Sequence, residues 1–273
     1  MIPEIVSRKG LVLLGCGKMG SAMLEGWLSS GFPIDSVWVL DPNPSDRLTE
    51  LAKAGLHLNQ KLPVSAAVCV IAVKPQMMGE ALPKIIQAKD SSTVYLSIAA
   101  GTPVARFEGV LGTDAAIIRA MPNTPAAIGK GITPLVGNGN VTPDMMQICT
   151  ALLGAVGQTV QLQSEDQMDA VTAVSGSGPA YVFHLIETMA QAGISQGLPA
   201  DLAMQLAKAT VAGAGLLAEQ STQTPAELRV NVTSPAGTTA AALKILMDPE
   251  TGFPDLVTKA IKAAADRSRA LRD

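Results

Sequence analysis

The first part of the chain alternates short β-branched and aliphatic runs with stretches of helical apolar spacing. Leu11–Leu14, Val37–Leu40, Val68–Val73, Val94–Ala99, Ala116–Met121, Ile132–Val136 and Thr159–Leu162 are predicted as strands. Met19–Ser30, Pro44–Ala54, Met77–Ala88 and Pro143–Leu153 are predicted as helices between them. This alternation means βαβ units, and so a mainly parallel sheet with helices on both faces.

After Gln163 the pattern changes to helical segments alone: Glu165–Val174, Pro179–Gln196, Pro199–Gln220, Thr239–Met247 and Pro254–Leu271. Prolines open three of them, a residue suited to the first helical turn. Between Ala170 and Leu217 the only charged residues are Glu187, Asp201 and Lys208. A helix apolar on nearly every face must be buried all round, and so short a helical half has little interior in which to bury two. A second subunit would supply the missing surface, with a compact monomeric bundle as the alternative, and small residues such as those of Ala207–Gly215 let backbones approach closely. The expectation is an α/β protein of two domains, residues 1–163 and a helical dimerisation domain at residues 164–273.

The string Gly15-Cys16-Gly17-Lys18-Met19-Gly20 fits G-x-G-x-x-G, and it follows a predicted strand and opens a predicted helix. Gly15 permits the tight turn, Gly17 close approach to a pyrophosphate, and Gly20 close helix–strand packing. Lys18 and Met19 begin the helix, where free N–H groups and the dipole favour anions. The first domain is therefore predicted to be a Rossmann dinucleotide-binding domain. Asp41 ends the second strand about 20 residues on, where a carboxylate binds the ribose 2′-hydroxyl of NAD. Asn43, Ser45 and Arg47 follow at once and would suit the 2′-phosphate of NADP, so these residues leave the cofactor open. Three later strand ends carry small or polar loops: Ala72-Val73-Lys74-Pro75, Ala99-Ala100-Gly101 and Met121-Pro122-Asn123. Ligands of open α/β sheets bind beyond the carboxyl ends of the strands, so these loops are expected to line the same crevice.

Composition removes other function classes. Hydrophobic residues are 48% of the 273 and charged residues 16%, enough for a sizeable core. The net charge of -3 argues against a nucleic-acid partner, which calls for a basic excess or stripe. The mean hydropathy of +0.30 comes from Ala, Val and Leu spread along the chain. No stretch supplies the ~20 apolar residues of a spanning helix, and only Leu11–Leu14 follow Arg8 and Lys9 as an apolar run. A cytoplasmic protein without a membrane partner is expected. Cys16, Cys69, Cys149, His57 and His184 lack metal-ligand spacing, so no metal site is expected.

Two segments of the helical half carry more than connectors need. Ser175-Gly176-Ser177-Gly178-Pro179-Ala180-Tyr181 leads into one helix, and Val232-Thr233-Ser234-Pro235-Ala236-Gly237-Thr238-Thr239 opens another. The second offers hydroxyls and backbone N–H groups at a helix start, which suits a carboxylate; an ordinary cap would use the same residues. Through GCGKMG, VKPQ, SIAAG, RAMPNTP, SGSGPAY and VTSPAGTTAAAL, in that order and over essentially its whole length, the chain resembles the pyrroline-5-carboxylate reductases.

The resemblance implies NADPH-dependent reduction of 1-pyrroline-5-carboxylate to L-proline, with NADH as the other reductant. It implies a Rossmann domain followed by an interlocked helical dimerisation domain, and homodimers that assemble further, commonly into decamers. Carried over by position, Ser234, Gly237 and Thr238 hold the substrate carboxylate, and Thr239 is the catalytic residue that polarises the imine. Asn59 lies near the adenosine. The family usually has two glycines where this chain has Ala236-Gly237, so Ala236 would be strained if that position needs φ > 0. The β-hydroxyacid dehydrogenases share the two-domain plan but carry a catalytic lysine on the first long interdomain helix, and Pro179–Gln196 has none. Reductases of other imines stay open. A non-catalytic dinucleotide sensor is disfavoured by the intact SPAGTT loop.

Overall fold

The computed structural model describes residues 2–271. The chain forms two compact units, one made of residues up to Gly176 with the segment from Ala265, the other of Ser177–Ala264.

The first unit holds β1 (Leu11–Leu14), β2 (Val37–Leu40), β3 (His57–Leu58), β4 (Val68–Ile71), β5 (Val94–Ser97), β6 (Ala116–Ala120), β7 (Gly131–Gly137) and β8 (Gly157–Gln161). They make one sheet in the order β3-β2-β1-β4-β5-β6-β7-β8. Every neighbouring pair is parallel except β6 with β7. Strand order reverses at β1, which lies between β2 and β4, and this is the switch point where such sheets open a crevice. In β1, Leu11 and Leu13 face Met23, Leu24 and Trp27 of the helix Lys18–Ser29. Val12 and Leu14 belong to the opposite core, with Leu82, Ile85 and Phe107. A strand covered on both faces has no polar side, hence the continuous aliphatic runs. Trp27 buries its one polar atom by donating to the Leu152 carbonyl at 2.9 Å.

All seven predicted strands are present with slightly different ends, and the two-residue β3 is additional. The predicted helix Met77–Ala88 is instead a 3-10 turn, Pro75–Met77, and two single α-turns, Met78–Ala81 and Pro83–Ile86. Pro83 lacks the N–H that a continuous helix would use. The helices Glu4–Lys9, Val104–Leu111 and Pro225–Asn231 are additional to those expected. The predicted helix Glu165–Val174 changes pitch twice: a 3-10 turn at Glu165–Gln167, an α-turn at Met168–Val171, then a π-helical stretch at Thr172–Gly176. Further along, Ser268 donates to Asp169 Oδ1 at 2.7 Å in a buried contact, and a Cβ on Gly101 would lie 3.3 Å from Leu271 Cβ.

The second unit contains the helices Gly178–Ser195, Ala200–Gln220, Pro225–Asn231 and Thr238–Leu246, and most of Phe253–Ala270. The first two pack through Ala190, Ala203 and Ala207 with Ile186 and Met204. Much of their apolar surface stays open, Phe183 at 58% and Leu217 at 55% among the exposed residues. No described helix is long and apolar enough to cross a membrane.

Candidate active site

The three motif glycines meet three different constraints. Gly15 has φ 87°, and a Cβ on it would lie 2.8 Å from Val73 Cγ1 and 3.1 Å from the Ala72 carbonyl oxygen. A Cβ on Gly20 would strike the Gly15 carbonyl oxygen at 2.6 Å. Gly17 is different: its φ is ordinary, and a Cβ would meet nothing within 4 Å. The space that Gly17 leaves lies at the start of the helix Lys18–Ser29, which has no side-chain cap and no acidic residue in its first turn. The N–H groups of Lys18, Met19 and Gly20 therefore have no intrahelical partner, and Lys18 puts an ammonium at the end where a cation alone is disfavoured. Open space, free donors and an added positive charge fit a pyrophosphate. At Cys16, between the first two glycines, burial pushes the thiol up, against a hydrogen bond with Ser21 and with the charges of Asp41 and Glu25 adding.

The end of β2 is tied to this turn. Cys16 N–H donates to Asp41 Oδ2 at 2.7 Å, and Asn43 N–H donates to Oδ1 at 2.8 Å. Asn59, in the left-handed region at φ 52°, brackets the Asp41 backbone: its Nδ2 donates to the Asp41 carbonyl at 2.8 Å, and its Oδ1 accepts from Asp41 N–H at 2.9 Å. Asp41, Asn43 and Asn59 thus gather beside the glycine turn. Arg47 turns to another partner, donating from Nε and Nη2 to the two oxygens of Glu25 at 2.7 and 3.1 Å. That hydrogen-bonded guanidinium holds the Glu25 carboxyl below its usual range. Glu25 carries no local sequence signal, because its partner lies 22 positions away on another helix.

The other strand-end loops are held just as specifically. Ala72 N–H donates to the Leu14 carbonyl at 2.8 Å, which brings Ala72 and Val73 against Gly15. Lys74 precedes the turn Pro75–Met77, and its carbonyl accepts from Met77 N–H at 2.9 Å. Ala99 N–H reaches Ser97 Oγ at 3.3 Å, and Ala100 leads into Gly101 at φ 72°. Beyond that turn, Val104 N–H and the buried Arg119 both donate to Glu165 Oε1, at 3.0 and 2.7 Å. Met121 N–H donates to the Pro134 carbonyl at 2.9 Å, and Pro122 is buried. Asn123 accepts from Ile132 N–H at 3.0 Å and donates to the Ser175 carbonyl at 3.1 Å, at the π-helical stretch. Glu165 and the bridging amide of Asn123 have no local sequence signal either, because both act across the fold.

In the second unit, Ser234–Gly237 is a β-turn closed by Gly237 N–H to the Ser234 carbonyl at 3.1 Å. Pro235 follows Ser234, and Ala236 has φ 59°, the arrangement of a type II turn whose third residue is ordinarily Gly or Asn. The strain expected for Ala236 is therefore present. A Cβ on Gly237 would lie 2.5 Å from Ser234 Oγ, so a larger residue there would have to turn the serine hydroxyl aside. Gly237 precedes the helix Thr238–Leu246, which has no side-chain cap, so Thr238 and Thr239 offer N–H groups without intrahelical partners. Thr239 lines a largely apolar cavity of about 540 Å³ with Leu228, Val232 and Leu243. Among the described residues no cluster of His, Cys, Asp and Glu could hold a metal ion.

Comparison with known proteins agrees with both parts. Residues 165–271 match the family model described as pyrroline-5-carboxylate reductase dimerisation, and residues 10–101 match that described as NADP oxidoreductase, coenzyme F420-dependent. The chain is 38% identical over 271 residues to a pyrroline-5-carboxylate reductase of Pseudomonas aeruginosa, covering 98% of each. A solved pyrroline-5-carboxylate reductase from Coxiella burnetii superposes with a TM-score of 0.89 at 32% identity, covering 97% of this chain and 98% of the other. A pyrroline carboxylate reductase of Plasmodium falciparum, solved with NADP bound, gives 0.82 at 28% identity, covering 98% of this chain and 100% of the other. On the fold, the motif geometry and these full-length likenesses, the chain belongs to the pyrroline-5-carboxylate reductase family.

Proposed function

We infer that the chain reduces 1-pyrroline-5-carboxylate to L-proline with NADPH, and with NADH as a second reductant, the last step of proline biosynthesis. The observation that carries the substrate is the Ser234–Gly237 turn opening a helix with free N–H groups, in a chain whose full-length relatives carry that enzyme's name.

In this reading residues 1–163 hold the cofactor and residues 164–273 the substrate and the dimer contact. Gly15, Gly17 and the N–H groups of Lys18, Met19 and Gly20 take the pyrophosphate. Asp41, Asn43 and Asn59 receive the adenosine ribose, with Arg47 the first cation after Asp41. Ala72, Val73, Lys74 and Pro75 with Ala99, Ala100, Met121, Pro122 and Asn123 line the crevice along the cofactor. When bound, the reduced nicotinamide supplies hydride to the carbon of the C=N bond. Ser234, Gly237 and Thr238 grip the substrate carboxylate through hydroxyl and backbone N–H, and Thr239 hydrogen-bonds the ring nitrogen, fixing the ring's orientation. A protonated imine is already electrophilic, so positioning is the protein's main contribution. The working form is a cytoplasmic homodimer assembled into a higher oligomer such as a decamer.

Loss of the reduced-nicotinamide absorbance on adding pyrroline-5-carboxylate, with proline formed, tests this reading. No turnover with either cofactor, from folded protein that binds them, overturns it. Thr239→Val is expected to lower kcat about 10- to 100-fold, the worth of one hydrogen bond to a charged group, with cofactor affinity unchanged. An unchanged kcat removes Thr239 from the mechanism.

A further inference from the structure

Resting on that reading, we propose that Glu25 determines how strongly the protein discriminates NADPH from NADH, by competing with the cofactor's 2′-phosphate for Arg47.

The adenosine ribose of a Rossmann cofactor lies beside the residue that ends β2, here Asp41. Both Asp41 oxygens already accept backbone N–H groups of the turn, which fixes the carboxylate in place. In the connection that follows, Arg47 is the first cation and lies in the first turn of the helix Asp46–Lys53. Ser45, a residue that could also serve a phosphate, spends its hydroxyl on capping that helix through Leu48 N–H.

Arg47 is also committed. Its planar fork meets Glu25 with two parallel N–H···O bonds, the geometry that a guanidinium offers equally to a phosphate. Glu50 stands behind at 3.7 Å. A 2′-phosphate arriving here finds the nearby carboxylates of Asp41, Asp46, Glu25 and Glu50 and one guanidinium whose fork is filled. It gains the Nε/Nη2 edge of Arg47 only by displacing Glu25, and Nη1 already faces Glu50. A 2′-hydroxyl needs no such exchange, because it carries no charge and Asp41 keeps lone pairs to accept from it. Glu25 therefore weakens NADPH binding and leaves NADH binding alone. The pair is well exposed, with side chains 59% and 42% accessible, so the exchange is feasible and the effect modest.

The test is fluorescence titration of the full-length protein with NADPH and with NADH, for wild type, Glu25→Gln, Arg47→Gln and the double variant, with thermal unfolding in parallel. Glu25→Gln is expected to tighten NADPH about three- to fivefold, the range of an exposed ion pair, without moving NADH. Arg47→Gln is expected to weaken NADPH alone, and in that background Glu25→Gln should lose most of its effect. An equal shift for both nucleotides, or no shift, overturns the proposal and leaves the pair a clasp between two helices. Full tightening that persists without Arg47 overturns it too, since bulk charge would then be the cause. A wild-type protein that binds neither nucleotide overturns the functional reading and the proposal with it.

Discussion

Ala236 sits at φ 59° in the third position of the Ser234–Gly237 turn, where a side chain crowds its own carbonyl. The conformation costs about 1–2 kcal/mol for an L-residue with a Cβ, and alanine bears it with the smallest side chain available. Ala236→Gly is expected to change unfolding free energy by no more than about 1 kcal/mol, because relief of strain is offset by the looser unfolded chain. Ala236→Val places a β-branched residue at positive φ and is expected to destabilise by about 2 kcal/mol and to lower activity. Urea unfolding and initial rates of both variants check this. A fully active, stable valine variant would show that the turn does not need this conformation. The liability is legible only through the family resemblance, which sets two glycines where this chain has Ala236-Gly237, because Ser-Pro-x-Gly by itself equally suits a type I turn with no positive φ.

Among the elements, Glu165 joins three pieces of chain that share no neighbourhood in sequence. Its Oε1 accepts from Val104, which starts the helix after the Ala99–Gly101 turn, and from Arg119 on β6, just before Met121-Pro122-Asn123. Arg119 is 1% exposed, and its ion pair with that carboxylate balances the buried guanidinium. Breaking a fully buried pair costs about 3–5 kcal/mol, and Glu165 itself is 30% exposed at the side chain. Glu165→Gln is therefore expected to destabilise by roughly 2 kcal/mol after that discount and to raise the KM for NADPH, since two strand-end loops loosen together. Arg119→Met in the same background should recover part of the stability. A double-mutant cycle in urea that shows no coupling would separate Glu165 from Arg119.

The same scale shows what a linear sequence reveals and what it hides. The strands are legible because sheet burial on both faces leaves aliphatic runs, and the glycine turn because its three constraints fall within six residues. The helix Val104–Leu111 is hidden because it is short and lies between a Gly-Thr-Pro turn and Gly112. Pro83 is plain in the sequence, but the helical apolar spacing runs on across it and masks the break. Glu165 and Glu25 are hidden for a different reason: their partners lie 46 and 22 positions away, and no local pattern encodes a pairing made by the fold.

For the whole molecule, the governing feature is the apolar surface of the second unit. Phe183, Leu206 and Leu217 are about half exposed on helices almost without charge, a surface that marks an interface. It agrees with the match of residues 165–271 to a dimerisation region. Phe183→Asp with Leu217→Asp is expected to shift the protein to smaller species in analytical ultracentrifugation and to lower its thermal midpoint. In the wild type that midpoint should rise with protein concentration, as linkage to assembly requires. A wild type that is monomeric at every concentration would contradict this.

The buried contact of Ser268 with Asp169 has a consequence in time. The two residues are 99 positions apart, and the whole second unit is translated between them. A nascent chain can pair its strands as they emerge, yet Asp169 meets Ser268 only once the helix Phe253–Ala270 has been made. A unit built from two separated stretches of chain is thus completed only after the unit between them has been translated.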